Sequence, residues 1–440
     1  MKGKGASVRN RTGVPKQNKY MKKLLALALA LCMVLTLSSC ATYNNFRKAI
    51  SKPDEEEVKE TIKIGVFEPL TGEYADDAAD EIKGIELANK YFPTVLDKEV
   101  ELVYADNASD PAYAPEVAQN LIDQGVRVVI GSYGNLLTLA GQDVFEAKHI
   151  VCIGATCTNP LITETTNYYF RVCVIDAFQG NSAAKYVVEY LPEVIHPDDP
   201  ETEENEAEAP VVTVALKQAG DDYASTMIDR FQAKLQSVYG EDHIARVIEY
   251  PSDAEDMTLY LKRIKELGAE AVFFPSTAAE GERVLYQAAQ MEDLDVEWIG
   301  NSNWHGILDA ASSARRPDMT HLEGVTFVSE FDRQADSKTG MTALFLAAAN
   351  TVYGNTDPSE AMALGFDAYL LALEGIRTAE VYNSPYSIRL ALLQVFEMEG
   401  ATGKISLKNG IGDPIKDIVI EKIVDGRVVA AYTATPSWGQ

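Results

Sequence analysis

Two short segments carry the residue types needed to hold a small polar anion. The β-branched run Val126–Ile130 ends in Gly131-Ser132-Tyr133-Gly134-Asn135, and an amphipathic stretch follows. Asn is a favoured helix N-cap, and glycines let a ligand approach the backbone. The free N–H groups of a helix start then favour a carboxylate, although an ordinary capped helix uses the same residues. Ile150–Ile153 likewise ends in Gly154-Ala155-Thr156-Cys157-Thr158-Asn159-Pro160, a turn rich in hydroxyls. In open α/β sheets, the C-terminal edge of the strands is where ligands bind.

Other chemistry finds little support. The chain has no Gly-x-Ser-x-Gly, His-Glu-x-x-His, Walker loop or Gly-x-Gly-x-x-Gly, so no motif proposes an enzyme. His149, His196, His243, His305 and His321 are scattered without ligand spacing, and neither a metal nor an organic cofactor is expected. Cys152 and Cys173 lie in apolar runs and read as core, where a thiol behaves as a small hydrophobe. With Cys157 they make an odd set, in which one disulfide is possible for an exported chain. The acidic stretch from His196 to Pro210 reads as a solvated loop.

These segments need a large scaffold. At 440 residues, 46% apolar and 24% charged, the chain is globular and long enough for two lobes. Lys+Arg 39 against Asp+Glu 66, a net charge of −27, argues against a nucleic-acid partner. Every charged residue before Leu24 is basic, so a processed chain is more acidic still. Met21-Lys22-Lys23, the apolar run Leu24–Leu37 and Ser38-Ser39-Cys40 read as a secretory signal too short to span a bilayer. Leu-Ser-Ser-Cys resembles a bacterial lipobox, which makes Cys40 the expected lipidation site after cleavage of residues 1–39, with Met21 as a candidate start. Acyl chains there would hold the protein at a membrane surface, facing the extracytoplasmic side. Residues 40–60 are polar and read as a tether.

From Ile62, β-branched runs alternate with amphipathic stretches. Ile62–Phe67, Val100–Tyr104, Val126–Ile130 and Ile150–Ile153 are separated by Ile82–Tyr91, Tyr113–Gln124 and Asn135–Ala147. The alternation restarts after Gln179-Gly180 with Val211–Leu216, Arg246–Tyr250 and Ala271–Phe274 as strands. Two βα series predict an α/β protein of two doubly wound lobes. Ile418–Ile423 and Val428–Tyr432, separated by Asp425-Gly426, predict a hairpin.

The order of several short motifs resembles the Leu/Ile/Val-binding type of substrate-binding protein from bacterial ABC transporters. They are Pro69-Leu-Thr-Gly72, Gly84-Ile-Glu-Leu-Ala88, Asp106-Asn-Ala-Ser-Asp-Pro111, Gly125 through Gly131 and Thr158-Asn-Pro. Asp176-Ala-Phe-Gln-Gly180, Gly365-Phe-Asp-Ala368, Thr402-Gly-Lys-Ile-Ser406 and Asp425-Gly426 continue the series. The resemblance spans about Ile62 to Tyr432. It implies two Rossmann-like lobes, the type I periplasmic binding protein fold, joined by three crossovers near Asp176–Ala177, Ser329–Phe331 and Glu399–Ala401. Lobe 1 is then 60–176 plus 330–399, and lobe 2 is 177–329 plus 400–440.

The same resemblance implies roles. Asn135 and Thr158 would hold a ligand carboxylate, and the Thr156 backbone would accept from an ammonium. Tyr223 would close over the ligand, and Thr277 stands where an aromatic residue often sits. Ser302 replaces an acid that commonly pairs with an α-ammonium, and Asp77 replaces an aromatic residue. Asp77 is therefore the expected stand-in for the missing acid, with Asp176 at the crossover as the alternative. The implied function is a monomeric solute receptor for an amino acid or related small polar molecule, serving an ABC permease and its ATPase. A sensing module of the same fold is the alternative.

Overall fold

The computed structural model describes residues 61–196, 210–316, 318–333, 340–355, 357–407 and 410–435. The expected leader, Cys40, the tether and nearly all of the acidic insertion lie outside the described residues.

The chain first builds a six-stranded sheet from β1 (Ile62–Glu68), β2 (Thr94–Val95), β3 (Lys98–Asp106), β4 (Val128–Gly131), β5 (Val151–Gly154) and β6 (Tyr169–Arg171). Its order is β2-β3-β1-β4-β5-β6, parallel except for the β2–β3 pair. Helices α1 (Ala75–Tyr91), α2 (Ala114–Asp123), α3 (Gly134–Ala147) and the single turn α4 (Leu161–Glu164) intervene. Every residue of β4 and β5 is buried, which is why both read as unbroken apolar runs.

Helices α5 (Asp176–Glu189) and α6 (Leu191–Ile195) lead into the second series. There β7 (Thr213–Gln218), α7 (Asp222–Tyr239), β8 (Arg246–Tyr250), α8 (Thr258–Glu266) and β9 (Ala271–Phe273) are followed by α9 (Ala278–Ala288), β10 (Glu297–Gly300), α10 (Ile307–Ser313) and β11 (Thr326–Ser329). The parallel strands lie in the order β11-β10-β9-β7-β8.

The chain then returns to the first lobe through α11 (Gly340–Tyr353), α12 (Glu360–Thr378) and α13 (Pro385–Leu392). Helix α12 packs across α1 at two glycines. A Cβ on Gly84 would lie 2.0 Å from the Met362 carbonyl, and one on Gly365 would lie 2.1 Å from the Glu81 carbonyl. A small hairpin, β12 (Met398–Gly400) with β13 (Gly403–Ile405), follows, and β14 (Ile418–Val424) with β15 (Arg427–Ala434) completes the second sheet antiparallel.

One expected boundary differs. The third crossover does not fall at Glu399–Ala401, because Ala401, Ile405 and Leu407 are buried in the first lobe's core. Asp367 of α12 holds this stretch, accepting from the backbone N–H groups of Ala401 at 2.5 Å and Thr402 at 2.9 Å, and from the Thr402 hydroxyl at 2.5 Å. The chain reaches the second sheet only at β14.

Candidate functional site

Strands β1, β4 and β5 are neighbours, so their C-terminal ends bring residues 68–72, 131–135 and 154–160 to one edge. Asn135 is not the N-cap of α3. The helix begins at Gly134 with Tyr133 before it, and no side chain caps it. The Asn135 amide instead ties two loops together: its Oδ1 accepts from the Asn159 N–H at 2.9 Å, and its Nδ2 lies 3.5 Å from Thr158 Oγ1. The Thr156 hydroxyl accepts from the Gly134 N–H at 3.2 Å and donates to Glu81 Oε2 at 2.7 Å.

Behind these loops lies an acid pair. Glu68, at the end of β1, accepts from the Tyr133 N–H at 2.7 Å, and both Glu68 and Glu81 are fully buried. Each carboxyl shifts the other, and Glu68 Oε1 and Glu81 Oε1 have no hydrogen-bond partner among the described residues. Burial pushes Glu81 up to about 7. Burial and then the Glu81 charge hold Glu68 well above the usual carboxylate range.

Asp176 opens α5 where the chain enters the second lobe. Its N–H donates to the Thr158 carbonyl at 3.2 Å, joining the expected first-lobe site to the crossover. Its side chain is 3% exposed, and its Oδ1 has no hydrogen-bond partner among the described residues. Burial raises its carboxyl to about 6. One turn on, Gln179 accepts from the Ser302 N–H at 3.1 Å, while its own Nε2 has no partner there. The Tyr223 hydroxyl accepts from Asn301 Nδ2 at 3.1 Å, and burial, then the Asp176 charge, raise its phenol. Two unpartnered groups, one an acceptor and one a donor, thus stand on one face of α5 beside Tyr223.

Two other expected residues are exposed. Thr277 is exposed and caps α9, accepting from the Glu280 N–H at 3.2 Å. Asp77 is exposed in the first turn of α1. Its charge is felt at Tyr133, whose phenol burial also raises.

All three connections meet at Lys416, which is fully buried in its side chain. Its Nζ lies 3.1 Å from Glu330 Oε2 and donates to the Thr402 hydroxyl at 2.6 Å and the Val172 carbonyl at 3.3 Å. Glu330 also accepts from the Val174 N–H at 3.0 Å, and its own N–H donates to Glu360 at 2.5 Å. Glu360 accepts or shares a proton with His305 of the second lobe at 2.7 Å. Cys152, Cys157 and Cys173 are all free and buried, which leaves the possible disulfide unmade.

Sequence reasoning did not single out Glu68, Glu81, Gln179, Asn301 or Lys416. The one available signal was a charged residue closing an apolar strand at Glu68.

A family model for periplasmic binding proteins matches residues 61–427. The Leu/Ile/Val-binding protein BraC3 of Rhizobium johnstonii is 26% identical over 380 residues, 84% of this chain and 94% of that protein. The branched-chain amino acid transporter substrate-binding protein LivJ of Streptococcus pneumoniae, solved with isoleucine, superposes with a TM-score of 0.68. It is 23% identical and covers 86% of this chain and 100% of its own. A solute-binding protein of an ABC transporter from Rhodopseudomonas palustris, solved with 3,4-dihydroxybenzoic acid, has a TM-score of 0.65. It is 21% identical and covers 85% of this chain and 97% of its own. Both structures share the two-lobed fold.

Proposed function

Because the chain belongs to the periplasmic binding protein family, we propose that it is an exported, lipid-anchored receptor for a small polar carboxylate, an amino acid or a relative of one. It delivers this ligand as a monomer to an ABC permease and its ATPase. The action is binding and closure, with no bond made or broken.

The observation that carries the reading is Asp176. It sits at the crossover between lobes, bonded through its N–H to Thr158, with one carboxyl oxygen unpartnered and Tyr223 beside it. A ligand ammonium reaching that oxygen gains a charge-assisted hydrogen bond in a desolvated place. Asp77 is the weaker stand-in for the acid missing at Ser302, because water screens an exposed carboxylate. The ligand's carboxylate would sit by the first turn of α3, beside the Asn135 amide and the Thr158 hydroxyl. The ligands solved in LivJ and in the Rhodopseudomonas protein both contain a carboxyl group, which supports a carboxylate as the ligand class.

Contacts from both lobes exist together only when the lobes close, so ligand shifts the population toward the closed form. No helix among the described residues is long and apolar enough to cross a membrane, and Cys40 is the proposed anchor. Replacing Cys40 with Ser should release the protein from membranes. Mass spectrometry of ligand retained through purification tests the ligand class. A small carboxylate bearing an amine is expected, and recovery of only neutral, carboxyl-free molecules would refute it.

A further inference from the structure

The second lobe carries a basic cavity away from the residues described above. Helices α5 and α7 touch at Gly180, where a Cβ would lie 2.0 Å from the Met227 carbonyl. Beyond that crossing they part and leave a cavity of about 250 Å³, floored by the end of β15. Asn181, Ser182 and Lys185 line one wall, and Arg230, Lys234 and Ser237 line the other. All three charged residues lining it are cations, in a chain with 66 acidic residues against 39 basic ones.

The cations are not arranged to satisfy one another. Arg230 and Lys234 stand four apart on α7, where like charges repel. Their other neighbours at three and four residues are Thr226, Met227, Phe231, Ala233, Ser237 and Val238, none of them acidic. Among the described residues neither takes part in an ion pair. Only Lys185 is engaged, donating to the Thr435 carbonyl at 2.8 Å with Glu189 at 4.0 Å. Arg230 is exposed and Lys234 half-buried, so water now screens them, and an anion entering between them would gain charge-assisted hydrogen bonds.

We propose that this cavity binds an organic phosphate. A guanidinium fork and two ammonium groups suit a multivalent oxyanion better than a single carboxylate. At about 250 Å³ the cavity is larger than a bare phosphate fills. The Phe178 ring lines it as well and offers a surface for a carbon body. The phosphate can come from a soluble ester or from a phospholipid headgroup.

Titration calorimetry with glycerol 3-phosphate and with water-soluble dihexanoyl phosphatidylglycerol distinguishes the sources, because the tighter probe identifies the source. Saturable binding of at least one is expected, weakening with added salt. The double variant Arg230→Glu, Lys234→Glu should lose about tenfold or more in affinity. Its thermal unfolding and its binding of the cleft ligand should match the parent. No saturable binding of either probe, or binding unaltered in the double variant, would overturn the proposal.

Discussion

Glu68 and Glu81, thirteen residues apart and on different elements, are both fully buried behind the loops of the candidate site, where each carboxyl shifts the other. The pair fixes the Tyr133 N–H and the Thr156 hydroxyl at once. An acid whose folded value is raised binds more protons folded than unfolded, so stability falls as pH rises. For Glu81 the fall runs from its ordinary 4.5 to about 7. Asp176 and Glu330, raised to about 6 and about 7, act in the same direction. Glu81→Gln keeps a donor toward Glu68 without a titrating proton. Melting temperature followed against pH should therefore decline less steeply in this variant across that window, and an unchanged slope would show that Glu81 does not titrate there.

Among the described residues Lys416 is the only cation touching Glu330, and it binds all three connections. Lys416→Met leaves a buried carboxylate uncompensated, which costs about 3 to 5 kcal/mol. Glu330 relieves part of that cost by taking a proton, so denaturant titrations should show a larger loss above its raised value of about 7 than below it. A loss that does not vary with pH would contradict this pairing.

Thr277 caps α9 through its hydroxyl and is exposed. Thr277→Ala should cost about 1 kcal/mol of stability and leave ligand affinity within twofold. A large affinity loss in calorimetry would return Thr277 to the site.

The alternation of buried strands and amphipathic helices was legible because a parallel sheet covered on both faces writes itself as apolar runs. The glycine motifs were legible as landmarks, but their reason was not: Gly84 and Gly365 let α1 and α12 touch. Gly84→Ala should accordingly destabilise by roughly 1 to 3 kcal/mol, as read by denaturant unfolding. Asp176 was visible at its crossover, whereas its advantage over Asp77 depends on burial that the rotation of α1 and the lobe junction set. The third boundary was misplaced because Asp367 captures Ala401 and Thr402 from more than thirty residues away, a contact no local pattern encodes.

The candidate site is proposed to take a small amino carboxylate with Asp176 as its cationic-end partner. Calorimetric titration of an amino-acid panel into ligand-free protein, parent and Asp176→Asn side by side, tests it most directly. At least one amino acid should bind the parent saturably and bind the variant roughly tenfold to a hundredfold more weakly, while a carboxylate lacking an amine changes little. Saturable amino-acid binding that Asp176→Asn leaves unaltered, or no binding of any small carboxylate, would contradict the account.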